Sequence, residues 1–173
     1  MKHLILILLL FVSKSLISFS QTVIYKGNKK YPATNIWIFR VNGAVWDNTI
    51  EVSIGKDGNT GILMLKTGVT PESYIGGPVY VFLSDGTRLT CSDKGIKDNV
   101  DNQSIALYKF SADEIEILKT FYITSIRFTL KPTDGGFNGN KTAENEKEVF
   151  TLFGDKDQKN YYLTSEEVSQ LFQ

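Results

Sequence analysis

Most catalytic constellations need side chains that this chain lacks. Its one histidine is His3. Residues 21–173 therefore hold no imidazole for a Ser-His-Asp triad, a Cys-His pair or a zinc ligand set. Its one cysteine, Cys91, allows no intramolecular disulfide. Cys91 stands in an alternating apolar stretch and is expected to be buried as a small hydrophobe. Paired carboxylates are the acid–base chemistry left open, as in glycoside hydrolysis. Asp47, Glu51, Asp57, Glu72, Asp85 and Asp93 are the candidates. Most of them stand in turn sequences, where an acid serves the backbone, so no catalytic residue is assigned.

Binding chemistry has more material. Trp37, Phe39, Trp46, Tyr74 and Tyr80 form an aromatic-rich set, and filling a core accounts for most of them. Trp46, between Gly43 and Asp47, and Phe137, inside a Gly-rich stretch, are the least core-like. They are the candidate ligand-binding residues, for a glycan or a protein partner. Residues 155–166 resemble an EF-hand loop, with acids at Asp155, Asp157 and Glu166. Lys159, Asn160 and Tyr162 depart from that pattern, and Lys159 puts a positive charge where a third ligand belongs. No metal is assigned and no cofactor is expected. Gly55–Gly61 lacks the Lys-Ser/Thr of a phosphate loop. The glycine and aspartate spacing of 134–140 does not fit a calcium-binding β-helix repeat.

The elements that would position these groups are mostly strands. Residues 21–34 read as an edge strand with a basic turn, and Asn35–Val41 as a buried strand. Ile50–Ile54 alternates cleanly, Gly55–Gly61 is a hairpin loop, and Gly61–Lys66 returns. Val79–Leu83 and Thr87–Cys91 form a hairpin about Asp85-Gly86. A type I turn closed by a left-handed Gly86 would put Val79, Val81 and Leu83 on one face with Leu89 and Cys91. A two-residue turn would instead bring Tyr80 and Phe82 there. Ser92–Gln103 reads as a polar loop. Ile105–Phe110 and Ile123–Leu130 are strands, with a short helix from Ser111 between them. Thr133–Asn140 is a Gly-rich loop, and Thr142–Phe153 fits a short amphipathic helix. The stretch Tyr108–Ile115 is echoed at Tyr161–Val168, each with an S/T-x-x-E start. Capping boxes are expected at Ser111/Glu114 and at Thr164/Glu167.

Residues 1–20 have the pattern of a secretory signal peptide. Met1-Lys2-His3 is the basic start, Leu4–Val12 the apolar run, and Ser18-Phe19-Ser20 the small-residue site before Gln21. The apolar run is well short of the ~20 residues that cross a bilayer. Lys2 and Lys14 leave with this segment, so the 19 basic residues fall to 17 against 19 acidic ones, a net charge of −2. That charge, with no basic block, argues against nucleic acid. Residues 21–173 fit one domain, burying about 68–70% of the unfolded surface.

Tyr31-Pro32-Ala33-Thr34, Ile75-Gly76-Gly77, Leu83-Ser84-Asp85-Gly86-Thr87, Cys91-Ser92-Asp93-Lys94, Ser111-x-x-Glu114 and Ile126-Arg127-Phe128 together resemble a group of small exported bacterial proteins without assigned activity. The resemblance spans residues 22–130, implies an envelope or secreted location, and carries over no catalytic residue. The expectation is one mainly β (α+β) domain: an antiparallel two-layer sandwich or curled sheet with two or three short helices. The expected role is a non-enzymatic exported protein, periplasmic or secreted, that binds a protein or glycan. A carboxylate-based glycan hydrolase and a calcium-binding protein are the alternatives.

Overall fold

A computed structural model of the chain describes residues 22–42, 49–69, 73–136, 138–147 and 161–173. In chain order its strands are β1 (Thr22–Lys26), β2 (Lys29–Ala33), β3 (Trp37–Val41), β4 (Thr49–Asp57), β5 (Thr60–Gly68), β6 (Ser73–Ile75), β7 (Val79–Leu83), β8 (Arg88–Cys91), β9 (Lys97–Val100) and β10 (Gln103–Phe110). Helix α1 (Ala112–Thr120), β11 (Ile123–Pro132), β12 (Gly139–Glu144) and α2 (Thr164–Leu171) complete them. The main path across the sheet is β8-β7-β11-β12-β3-β4-β5-β10-β9. Every pairing is antiparallel. The fold is thus the curled, mainly β sheet with short helices that the alternation predicts.

Alternation places the core. Trp37, Phe39, Val41, Ile50, Val52, Ile54, Leu63 and Leu65 are buried in one cluster with Val79, Val81, Ile126 and Phe128. Curling brings strands from both ends of the sheet around this cluster. A smaller cluster of Ile24, Tyr31, Ala33, Ile62 and Leu107 covers the other face. The β1–β2 hairpin is therefore a flap over the outside of β4, β5 and β10. Gly55 allows its close approach, since a side chain there would meet Ile24 Cδ1 at 3.1 Å. Asn35–Val41, read as a buried strand, is buried on one face only. Trp37, Phe39 and Val41 point in, while Ile38 remains 48% exposed. A strand in an antiparallel sheet keeps one face outward even when that face is apolar.

The turns follow their residues. Gly86 has φ +87°, and Val79 pairs with Cys91 and Val81 with Leu89. The bulged three-residue turn is therefore the one formed. The Asp85 carboxylate accepts from Thr87 N at 2.9 Å and Thr87 Oγ1 at 2.7 Å. Thr87's hydroxyl and amide together hold Asp85 below the usual carboxylate range. The polar stretch 92–103 is not all loop. Lys97–Val100 pairs with β10 through a turn at Asp101 (φ 52°) and Asn102 (φ 59°), the left-handed pair of a tight hairpin.

Both helices pack at one end of the sheet. Ser111 Oγ accepts from Glu114 N at 3.2 Å, and Glu114 Oε2 accepts from Ser111 N at 2.8 Å. This is the expected capping box, and it starts α1. Ile115 and Leu118 are its buried face. Gly61 makes room for them, because a Cβ there would lie 2.6 Å from Ile115 Cδ1.

Two further expectations fail. Thr142–Glu144 belongs to β12, not to a helix, because it pairs with β11 on one side and β3 on the other. Residues 148–153 lie outside the described set. At the start of α2, Thr164 and Glu167 do not form the second capping box. Thr164 Oγ1 instead accepts from Ile123 N at 2.8 Å. Glu167 accepts from Trp37 Nε1 and Asn35 N, both at 2.9 Å. Tertiary donors outcompete the local amides, and the echo becomes a tie between α2 and the sheet.

Candidate cleft at the bulge of the eleventh strand

One recess among the described residues begins at an irregularity in β11. Ile123 pairs with Leu83 and Ser125 with Phe82, so Thr124 is the extra residue of a bulge. Its hydroxyl donates to Phe82 O at 3.0 Å, and its carbonyl accepts from Asn145 N at 2.9 Å. A bulge re-aims side chains. Here both Thr124 and Ser125 turn to the same recess.

Asn145 sets the opposite wall. It has no exposed surface. Its Nδ2 donates to Ile123 O at 2.6 Å and to Tyr162 O at 2.9 Å, and its Oδ1 accepts from Tyr162 N at 2.8 Å. Residues 161–163 are thereby pinned beside the start of β11. Alternation then sends Tyr162 inward, stacked 6.3 Å from Phe39, and Tyr161 outward. On the other side of Asn145, Glu144 and Glu146 both face the recess.

The result is a cleft of about 260 Å³ lined by Tyr122, Thr124, Ser125, Glu144, Glu146 and Tyr161. The Tyr122 and Tyr161 rings lie 6.1 Å apart, tilted by 37°, and Tyr161 is 39% exposed. Glu144 Oε1 accepts from Asn42 Nδ2 at 2.7 Å. Among the described residues, the cleft therefore offers two aromatic surfaces, hydroxyl groups and two carboxylates, with no basic side chain in its lining.

A larger cleft of about 410 Å³ lies at the helix end of the sheet, beside Lys56, Asp113, Glu116 and Phe172. Its charges serve the fold. Lys56 Nζ donates to Leu171 O at 2.8 Å and Gln173 O at 3.1 Å, at the carbonyl end of α2. Glu116 pairs with Lys119 at 2.9 Å.

The candidates read from the sequence scatter. Trp46 and Phe137 lie outside the described residues, as do Asp47, Glu72, Asp155 and Lys159. Trp37 and Phe39 are core. Tyr74 and Tyr80 carry Lys97 and Arg88 over their rings, at 3.7 and 5.3 Å. Glu51 pairs with Lys66 at 3.2 Å. Asp93 accepts from Gly77 N and Gly95 N, both at 2.7 Å. Cys91 is buried at 1% exposure, and burial, with Glu114's charge adding, pushes its thiol up to about 12. It is not a reactive thiol. Glu144 and Glu146 were hidden because their stretch reads as a helix. The alternation Glu144-Asn145-Glu146 becomes a signal only once β12 is seen as a strand.

Among the described residues no group of three or more metal-ligating side chains converges, and no helix is long and apolar enough to cross a membrane. No protein-family model, curated protein or solved structure matches the chain.

Proposed function

We propose that this chain is an exported, non-catalytic binding protein and that the Tyr122–Tyr161 cleft is its ligand site. One observation carries the reading. Hydroxyls of Tyr122, Tyr161 and Ser125 line one recess and make no hydrogen bond among the described residues, whereas in the larger cleft Lys56 holds the end of α2 and Glu116 pairs with Lys119. A concave site with a few convergent polar groups on an aromatic wall is the usual form of a binding site. Export rests on residues 1–20 and on the resemblance of residues 22–130 to small exported proteins.

The alternative with support of its own is a carboxylate-based glycan hydrolase, with Glu144 and Glu146 as the pair. Two carboxyl groups in one aromatic cleft favour it. The openness of the cleft to solvent weighs against it, because a general acid needs a desolvated site to stay protonated. Calcium binding at 155–166 is the third reading, with Lys159 against it.

The test is an NMR titration of isotope-labelled residues 21–173 with a panel of oligosaccharides and short peptides. A binder should shift the amides of Ser125, Glu144 and Asn145 and leave its ligand intact overnight by mass spectrometry. Cleavage of a glycan, abolished by Glu146→Gln, would replace this reading with the hydrolase. A calcium-dependent, chelator-reversed rise in melting temperature would favour the third. The intact mass of exported protein should correspond to a start at Gln21.

A further inference from the structure

We propose that the outer edge of β1 takes an extended, acidic segment of a partner protein as an added antiparallel strand. This edge shares no residue with the Tyr122–Tyr161 cleft. The first observation is a free row of backbone groups. β1 pairs with β2 alone, through a two-residue turn at Gly27 (φ +56°) and Asn28. In such a hairpin the closing pair, here Lys26 and Lys29, is hydrogen-bonded. Alternation then bonds Ile24 to Tyr31 and leaves the amides and carbonyls of Val23 and Tyr25 facing away from β2. Pro32, with no N–H to give, stands opposite Val23 and agrees with this parity. Among the described residues no strand or loop bonds to that edge.

Second, the exposed side chains beside this edge are apolar. Val23 is 38% exposed and Tyr25 62%, while Ile24 between them packs on the sheet. Edge strands are ordinarily blunted by charge, as β9 is, with Lys97 and Asp98 exposed along it. β1 carries no charge before its last residue, Lys26. An added strand sets side chains beside Val23 and Tyr25, where aromatic and β-branched neighbours across a ladder attract. Third, the charge here has one sign. All 19 acids of the chain lie beyond residue 46, while Lys26, Lys29 and Lys30 crowd the tip of the hairpin. Lys30 lies over the Tyr25 ring at 5.5 Å, and among the described residues none of the three lysines is in an ion pair. Acids are therefore the complement at the end of the strand that meets the tip. Strand addition uses the backbone edge, the apolar pair and the lysines together. An anionic lipid surface would use the lysines and leave the edge unpaired.

The experiment is an NMR titration of residues 21–173 with acetyl-Glu-Glu-Val-Thr-Val-Thr-amide. Run antiparallel to β1, its valines fall opposite Tyr25 and Val23 and its glutamates meet the lysines. The peptide should saturate, shift the Val23 and Tyr25 amides and slow their exchange with solvent. Two control peptides should bind more weakly: one N-methylated at both valines, which removes the donors to this edge, and one with lysine for both glutamates. Lys29→Gln and Lys30→Gln change exposed side chains at the turn, so the fold stands. Each should weaken the acidic peptide about twofold to fivefold, the range of an exposed ion pair. Added salt should weaken it too. Equal binding by the N-methylated peptide overturns strand addition, and equal binding by the lysine peptide overturns the acidic assignment. A peptide that shifts Ser125 and Glu144 instead acts at the cleft, which overturns this proposal and leaves that site standing. Phosphatidylglycerol vesicles that broaden the tip signals, when no peptide shifts them, make the tip a lipid contact. Protection of Val23 and Tyr25 that rises with protein concentration, alongside a dimer in sedimentation, gives the edge to a second copy. Either of these results, or no shift with any probe, overturns the proposal.

Discussion

At the scale of single residues, the cleft depends most on one that touches no ligand. Asn145 holds Ile123 and Tyr162 by three side-chain hydrogen bonds of 2.6, 2.9 and 2.8 Å. Replacing it with alanine leaves the Tyr162 amide and two carbonyls without these partners. Each buried group left unpaired costs about 1–3 kcal/mol. Water entering the space relieves part of that, so Asn145→Ala should lower the unfolding free energy by about 3 kcal/mol. Urea denaturation of the two proteins checks it, and a loss under about 1 kcal/mol would mean that Tyr162 is held by its Phe39 stack instead. Nothing in the sequence marks Asn145. An asparagine between two glutamates reads as surface, and its inward aim follows from pairing with a strand that precedes it by some twenty positions. Cys91 was legible because its neighbours alternate. The Asp85-Gly86 turn was legible in kind, though its register needed the partner strand.

Between α1 and α2 the same short pattern performs two jobs. Ser111-x-x-Glu114 caps its own helix, as local chemistry dictates. Thr164-x-x-Glu167 gives its oxygens to Ile123 N, Trp37 Nε1 and Asn35 N. Sequence alone reveals the shared pattern but not the distant donors that redirect the second copy. The two sites should therefore respond differently to mutation. Ser111→Ala removes an exposed cap and should cost about 1 kcal/mol. Thr164→Ala strips a buried amide of its acceptor and should cost more, about 1–3 kcal/mol. Hydrogen exchange separates the mechanisms. Ser111→Ala should speed exchange in the first turn of α1, and Thr164→Ala should speed it at Ile123. Acceleration confined to the first turn of α2 would restore the capping account. The misread start of the stretch 142–153 belongs to this scale too. Scattered apolar residues among Glu and Lys satisfy a helical period, and only the open edges of β11 and β3 make Thr142–Glu144 a strand.

Over the whole molecule, the sheet curls far enough that β6 and β8 approach β10, but no backbone ladder joins them. Side chains close the seam. Ile75 N donates to Ser104 Oγ at 2.9 Å, Tyr108 Oη to Gly77 O at 3.1 Å, and Asn99 Nδ2 to Ser73 O at 3.0 Å. Burial pushes the Tyr108 hydroxyl far up, and the charge of Asp93 adds to this, so it stays a donor at any ordinary pH. Asp93 is the acidic member of the seam. Partial burial alone would raise its carboxyl. The Gly77 and Gly95 amides, with Lys97 and Lys131, outweigh that and hold it below its ordinary value of 3.8. The sign follows from linkage. A carboxylate whose pKa is lower in the folded protein stabilises it fully above the unfolded value, and that stabilisation is lost as pH falls through the folded value. Below pH 3.8 the seam should therefore loosen before the sheet does. Amide exchange at Gly77 and Gly95 should accelerate with falling pH ahead of exchange in β4 and β5. Asp85 titrates in the same direction, but its turn at Ser84–Gly86 contacts neither glycine amide. Asp85→Asn should leave the seam response unchanged. Asp93→Asn can still accept at one oxygen but has lost the charge, so its seam should be open-prone at neutral pH and insensitive to acid. Acid acceleration at Gly77 that survives Asp93→Asn would show that another group closes the sheet.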